Sequence, residues 1–413
     1  MIPYGRQSID EDDIQAVIEV LKSDWLTTGT KIEEFEQKFA AFVGAKYAVA
    51  VSSGTAALHA AMFALNIGPG DEVIVPPMTF VATANCVVYQ GGTPIFADVD
   101  PDTLLIDPKE VKKKITKRTK AIIAVDYAGQ PCNYDELRSI AKNYKISLIS
   151  DACHAIGALY KGRPLGSIAD MTVFSFHPVK HITTGEGGMI TTDNEEFENR
   201  LRIFRNHGIT TDHRQREQQG SWFYEMVEHG YNYRITDIQC ALGISQLKKL
   251  PKFLKRRWEI AATYDWTFKN IPGIQPLGLR SDVLSPRQSL KLLKLNISDF
   301  TFPILHSPSY NFTTHAYHLY VVRIESSSIG KSRDDVFKML RYAGIGVNVH
   351  YIPVHLHPFY RKRFDTRLGL CPVAEKAYRE IMTLPIYPGL KDEKIEHIIE
   401  TIDRVTNLRQ CHQ

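Results

Sequence analysis

Cysteine is scarce and scattered in this chain. Six occur in 413 residues, at Cys86, Cys132, Cys153, Cys240, Cys371 and Cys411, with no Cys-x-x-Cys pair. That spacing argues against a disulfide framework and for reduced thiols in the cytoplasm. Long apolar runs are missing too: no stretch reaches the ~18 uninterrupted residues of a membrane-spanning helix. The start, Met1 to Gln7, has no apolar core of a secretory leader. A surplus of one charge is also absent, with 50 Lys and Arg against 46 Asp and Glu. The basic clusters Lys112-Lys113-Lys114 and Lys252 to Arg257 read as solvated helix faces without interleaved aromatics. The expectation is a cytoplasmic protein with neither a nucleic-acid nor a membrane partner.

What is present is an ordinary globular composition, 44% hydrophobic and 23% charged, in a chain too long for one average domain. A first helix is expected over residues 8 to 24, with Ser8 as N-cap and Glu11 three positions later. A second follows over 31 to 42. Short β-rich runs then alternate with helical stretches: Tyr47-Val51, Glu72-Val75, Pro94-Ala97, Ala121-Val125 and Ser147-Ser150, then Val173-Phe176 and Met189-Thr192. Such alternation predicts an α/β fold with a mostly parallel, seven-stranded sheet covered on both faces. A long helix is expected from Ile235 to about Phe268. Residues 272–312 lack a clean period and read as an irregular insertion. Beyond them, strands at His318-Ile324 and Gly346-His350 and helices at 334–343 and 392–405 describe a small α+β unit. The expected division is a large domain over 1–265 and a small one over 266–413.

Lys180 and Asp151 carry the chemistry. Lys180 sits on a turn of small residues closed by Gly185, Gly187 and Gly188, and Asp151 ends an apolar run through Ile146, Leu148 and Ile149. A pyridoxal phosphate enzyme needs both, a lysine to form the Schiff base and an acidic partner for the pyridinium nitrogen. Read singly, Lys180 is a surface lysine and Asp151 a helix cap. Ser52-Ser53-Gly54-Thr55-Ala56 follows a strand and opens a helix, which makes either a phosphate cradle or a plain small-residue cap. Phe80 stands where ligands of open sheets gather, either stacking on a planar ring or buried as core. His154 either contacts the ring or is a satisfied core histidine. Ser175 either touches phosphate or is a strand serine.

His350-Tyr351-Ile352-Pro353-Val354-His355-Leu356-His357 raises a metal alternative, a zinc hydrolase with His355 and His357 as ligands and His350 or Cys371 as the third. No acidic partner stands close in sequence, which favours a substrate-lining loop and no metal.

Nine stretches taken in order resemble the DegT/DnrJ/EryC1/StrS sugar aminotransferases, a branch of the fold-type I pyridoxal phosphate enzymes. They include Trp25-Leu26-Thr27-Thr28-Gly29, Ser52 to His59, Thr79 to Asn85, Val125 to Pro131, Asp151 to Gly157, Phe174 to Gly188, Arg205-Asn206-His207-Gly208 and Gly230 to Asp237. Phe174 to Thr184, Val349 to His355 and Leu384 to Leu390 look most like the pseudaminic acid branch, UDP-4-amino-4,6-dideoxy-N-acetyl-β-L-altrosamine transaminases. The resemblance implies that Lys180 bonds the cofactor, Asp151 pairs with its ring nitrogen, Phe80 stacks on the ring and His154 lies beside it. It implies that Gly54, Thr55 and Ser175 hold the phosphate, with Asn232 reaching the cofactor of a neighbouring subunit in a homodimer. Tyr4, Asp24, Trp25, Leu26, Thr27, Tyr317, His318, Leu319 and Tyr320 match positions lining a nucleotide-sugar site. The implied substrates are L-glutamate and a UDP-linked 4-keto sugar, or another nucleotide keto sugar aminated at C3 or C4. A related dehydratase would carry His in place of Lys180, and a non-catalytic regulator would lack Lys180 or Asp151. His181 receives no role.

Overall fold

A computed structural model describes residues 1–211, 213–294 and 311–407. Helices α1 (Glu11–Leu21) and α2 (Thr30–Val43) lead into strand β1 (Tyr47–Val51), helix α3 (Gly54–Ala64), β2 (Glu72–Val75), α4 (Ala82–Tyr89) and β3 (Thr93–Phe96). Then come α5 (Pro108–Lys114), β4 (Thr119–Val125), α6 (Tyr134–Tyr144) and β5 (Ser147–Asp151). A small hairpin, β6 (Leu159–Tyr160) and β7 (Arg163–Pro164), precedes β8 (Met171–Ser175) and β9 (Gly188–Thr192). Helices α7 (Glu195–Arg205), α8 (His213–Gln218) and α9 (Asp237–Phe268) follow.

The seven-stranded sheet has the order β1-β9-β8-β5-β4-β2-β3. Only β9 runs against its neighbours, so the other six strands end at one edge. Valine, isoleucine and alanine fill the central strands, and β4 and β5 are almost wholly buried, as a sheet covered on both faces requires. Helix α3 buries nearly every residue of its length. Phe39 of α2 packs edge-on against Phe174 and Phe176 at the sheet's end, and Phe35 lies tilted against Phe176.

A second, three-stranded antiparallel sheet joins β10 (Ile274–Pro276), β11 (Tyr320–Ile324) and β12 (Ile381–Leu384). Around it lie α10 (Pro286–Lys294), α11 (Ser326–Ile329), α12 (Arg333–Tyr342), α13 (Pro358–Phe364), α14 (Pro372–Glu380) and α15 (Asp392–Asn407). Part of the expected insertion is therefore regular, with β10 and α10 inside it. Residues 295–310, and Cys411, lie outside the described residues.

Three expectations are corrected. The first helix is capped by Asp10, not Ser8: Asp10 and Asp13 exchange backbone and side-chain bonds in a capping box. The Ser8 carbonyl instead accepts from Gln246 on α9, which also bonds Asp13 at 2.7 Å. Residues 346–350 form no strand, because their backbone partners are split. Gly346 N–H donates to the Ile2 carbonyl at 2.7 Å, and only Asn348 bridges Thr383. The Lys252 to Arg257 cluster is not one solvated face, since Arg257 is entirely buried. Its side chain points inward from α9, where the period of the helix overrides the run of like charge.

Phe39 is wholly out of solvent among Phe35, Phe174 and Phe176. Phe39→Ala should cost about 3–5 kcal/mol, read as a lower denaturant midpoint at unchanged slope. A change below about 1 kcal/mol would show that this aromatic cluster does not anchor α2.

Candidate active site

The common sheet edge gathers the ends of β1, β8, β5 and β4. Asp151 closes β5 at 5% exposure. Its Oδ2 accepts the Thr83 hydroxyl at 2.8 Å, and Thr83 is bonded in turn to Thr79 at 2.7 Å. Oδ1 accepts the backbone N–H of Cys153 at 3.3 Å. Two hydrogen-bond donors thus fix the carboxylate's plane.

Lys180 lies on the loop after β8. The loop is folded back on itself by Thr184 N–H and the Thr183 hydroxyl, both donating to the Phe176 carbonyl, with Gly185 at φ +82°. Lys180 is half-buried, and among the described residues no carboxylate pairs with its ammonium. Burial pushes its pKa down, while the Cys153 thiol and the Asp151 carboxylate oppose that shift. Burial wins, which raises the share of neutral amine.

Gly54 opens α3, where Ser53 caps the helix by accepting from Ala56 N–H. A Cβ at Gly54 would lie 2.9 Å from the Cβ of Ser175 and 3.4 Å from the Cys153 sulfur. Free N–H groups at a helix start, a serine hydroxyl and the turn bearing Cys153 are thereby brought together, with half-buried Thr55 in the helix's first turn. Phe80 is 57% exposed, which removes the core reading, and its ring centre lies 6.2 Å from that of Tyr351.

His154 is buried. Its Nε2 bonds the Tyr351 hydroxyl at 3.0 Å, and its ring centre is 4.4 Å from that of His318. His181 reaches the same group, 5.5 Å from His318, with Nε2 bonded to the Ala316 carbonyl. Nδ1 of His154, His181 and His318 has no hydrogen-bond partner among the described residues. Burial holds all three pKa values well below the usual histidine value, and Lys180 pushes the same way. His350 is pushed to about 3 by burial, then by Lys180.

The other expected residues are divided between this group and the surface. Tyr4 is half-buried with its ring 5.2 Å from His350. Asp24, Trp25, Leu26 and Thr27 run along the surface at the start of α9, with Leu26 accepting from Asp237 N–H and Thr27 bridging Thr236. Asn232 is exposed and bridges Asn206. Tyr317, His318, Leu319 and Tyr320 are all buried, and of these His318 joins the histidine group beside Lys180. Tyr320 donates to Asp265 at 2.6 Å and Tyr317 stacks on His315.

Sequence reasoning missed Thr83, Cys153, Tyr351 and His181. The pair Thr79 and Thr83, four apart in an apolar stretch, was a readable signal for a buried polar contact. Nothing local announces Tyr351, 197 positions from His154.

The metal alternative meets a different arrangement. His355 is fully buried and bonded to Glu375 at 2.9 Å, supplied by α14 from twenty positions away. The acidic partner missing from the sequence neighbourhood is therefore present in space. His350 is bonded to Thr383 instead. Among the described residues, no three His, Cys, Asp or Glu group to hold a metal.

The model of the DegT/DnrJ/EryC1/StrS aminotransferase family matches residues 7–403. The chain belongs to that family. Spore coat polysaccharide biosynthesis protein SpsC of Bacillus subtilis is 41% identical over 403 residues, covering 97% of this chain and 96% of that one. Among solved structures, the putative sugar aminotransferase Spr1654 of Streptococcus pneumoniae in its PMP-form superposes with a TM-score of 0.86 at 34% identity, covering 98% and 99% of the two chains. Its PLP-form gives 0.85. Helicobacter pylori PseC, an aminotransferase of pseudoaminic acid biosynthesis, gives 0.83 at 31% identity over 98% and 99%. The family member described here is a fold-type I sugar aminotransferase and uses pyridoxal phosphate. Among the described residues, no helix is long and apolar enough to cross a membrane.

The neutral histidines make a pH prediction. His315 and His350 are both pushed from 6.5 to about 3 by burial. Unfolding lets them return to the ordinary value, so the unfolded chain binds more protons below it. Their contribution is complete above about pH 6.5 and is lost as pH falls toward about 3, by up to ~1.4 kcal/mol per unit for each histidine. Denaturant melts between pH 7 and 5 should show falling stability. A flat profile would contradict it.

Proposed function

We propose that this aminotransferase moves the amino group of L-glutamate to C4 of a UDP-linked 4-keto-6-deoxy-N-acetylhexosamine, for a pseudaminic acid-type surface sugar. The observation that carries the site assignment is the pairing at the sheet edge: an amine without a carboxylate partner, beside a buried carboxylate fixed by Thr83 and Cys153 N–H. Pyridoxal phosphate supplies the aldehyde that carries the amino group and a ring that accepts electrons.

The residues present fit that group. The crowded contact of Gly54 with Ser175 leaves backbone N–H groups and the dipole of α3 open to a phosphate, where a side chain would intrude. Thr55 and Ser175 add hydroxyl donors. Asp151, its carboxylate oriented by Thr83 and Cys153 N–H, would keep a proton on the ring nitrogen, and the turn bearing His154 would line one side. Phe80, exposed at the same edge, covers the ring's face. Lys180, with its lowered pKa, would hold the cofactor through its amine, and that amine would serve as the base that takes or returns a proton at Cα of the donor. Asn232 is exposed; Asn232 of the partner subunit would meet the phosphate in a homodimer. Tyr4, Asp24 to Thr27 and Tyr317 to Tyr320 belong to the sugar-nucleotide side of the cleft. We place the large domain at 1–265, the small at 266–413, and the enzyme in the cytoplasm, where the five described cysteines stay free.

Likeness to PseC supports the pseudaminic acid substrate, whereas the higher identity to SpsC favours another nucleotide keto sugar for a surface polysaccharide. Incubation with L-glutamate and a panel of UDP- and dTDP-keto sugars, with mass detection of the amino sugar, decides between them. Amination of dTDP-sugars alone would sink the UDP assignment.

Lys180→Ala should abolish the visible absorbance of the bound cofactor and turnover together; a variant keeping both would remove Lys180 from its role. Asp151→Asn should retain cofactor but lose turnover by about 10²–10⁴-fold, and near-normal rates would contradict the pairing.

A further inference from the structure

Among the described residues, Arg257 is one of the largest side chains wholly out of solvent. It projects from α9, and its Nη1 donates to three carbonyls: Tyr317 at 3.0 Å, His318 at 3.2 Å and Ile386 at 3.0 Å. Nε and Nη2 are buried without partners among the described residues. Among the described residues no carboxylate balances it, and burial pushes its pKa down to about 9, which leaves it a cation at neutral pH. A buried cation without a counterion is costly, and an apolar side chain would fill the same space without that cost. Its presence calls for a purpose other than filling the core.

The backbone that Arg257 grips is held from every side. Ala316 N–H donates to the Gly129 carbonyl at 2.8 Å and Leu319 N–H to Ala128 at 3.1 Å. Gly129 has φ +107°, and a Cβ there would lie 2.8 Å from Tyr317 N, so the two segments touch backbone to backbone. Trp258, next to Arg257 on α9, donates its indole N–H to the His315 carbonyl at 2.7 Å. The segment so fixed carries His318, packed against His154 and His181.

We propose that Arg257 is a positioning residue for transamination: its Nη1, shared among the carbonyls of Tyr317, His318 and Ile386, fixes the Tyr317–His318 backbone so that the His318 ring closes a wall with His154 and His181 beside Lys180. The proposal rests on Lys180 being the reacting amine. His318 faces Lys180 and His181 from the loop after β8, His154 from the turn after β5, and Arg257 from α9. His181 faces Arg257, Lys180 and His315. Every one of these neighbours opposes a proton on the imidazoles, as burial does. A protonated imidazole in this wall would repel a cationic centre at Lys180 and change which nitrogens can accept a hydrogen bond.

The test uses the holoenzymes of Arg257→Met and Arg257→Lys, with the donor half-reaction followed across pH. Arg257→Met should lower kcat about tenfold or more, shift the KM for L-glutamate by less than about threefold, and move the acid limb of kcat upward by roughly half a unit. Arg257→Lys keeps the charge but not the planar guanidinium that carries Nη1 to the three carbonyls, so it should lose rate while the acid limb stays in place. His318→Gln in the Arg257→Met background should remove the limb shift and add little further loss of rate. Wild-type kcat and pH profile in Arg257→Met, a loss confined to KM, or fully additive losses in the double variant would each overturn the proposal. Should Arg257→Met fail to fold, Arg257→Lys decides alone, and an undiminished rate overturns it. Cofactor absorbance persisting in Lys180→Ala would instead sink the Lys180 reading, a separate result.

Discussion

The parallel direction of β1, β8, β5 and β4 is the constraint on which the rest of this molecule depends. Parallel strands must satisfy their backbone bonds with neighbours on both sides, and each must return through a helix. The consequence is geometric: every strand ends at the same edge, and every connection there is a turn leading into the next element. Asp151, Ser175 with the Lys180 loop, and the Ser53-Gly54 turn meet because of that rule. The antiparallel β9 contributes differently. It returns the chain after the Lys180 loop between β1 and β8, and its first residue, Gly188, lies so close to the Ser53 carbonyl that a Cβ would sit 2.4 Å away.

The second sheet closes the site through α9. That helix packs on α1 and α2 at one end and reaches the Tyr317–His318 segment at the other, through Arg257 and Trp258. In the amino-terminal strip Ile2 pairs with Ile345 and the Tyr4 carbonyl accepts from Ile386 N–H. Segments from both ends of the chain thus converge on the group around His350 and Tyr351. Desolvation sets the electrostatics there. Burial dominates the pKa of Lys180 and of each neighbouring histidine, and the charge of Lys180 pushes the histidines further down.

Much of this was legible in local sequence. The alternation of β-rich and helical runs carried the sheet, and an aspartate ending Ile146-Ser147-Leu148-Ile149-Ser150 carried a buried carboxylate. The failures share a cause. Ser8 lost the cap to Asp10 because a reciprocal pair with Asp13 satisfies two donors, whereas Ser8 is taken up by Gln246. Residues 346–350 have strand-like composition, yet their partners are Ile2 and Thr383, which compete across opposite sides. Arg257 sat in a run of basic residues that suggested solvent, and the helical period turned it inward. His355 appeared to lack an acidic partner until α14 supplied Glu375.

By itself the sequence determined the sheet's strands, the small-residue turns, and the presence of an amine and a carboxylate at strand ends, because strand period, capping and chain stiffness act over a few residues. Only the tertiary structure decided which histidines meet, that Tyr351 bonds His154, and that Arg257 carries its charge unpaired into the interior. Those facts join positions tens to hundreds of residues apart. Desolvation depends on the packing of all of them at once, and no local pattern encodes it.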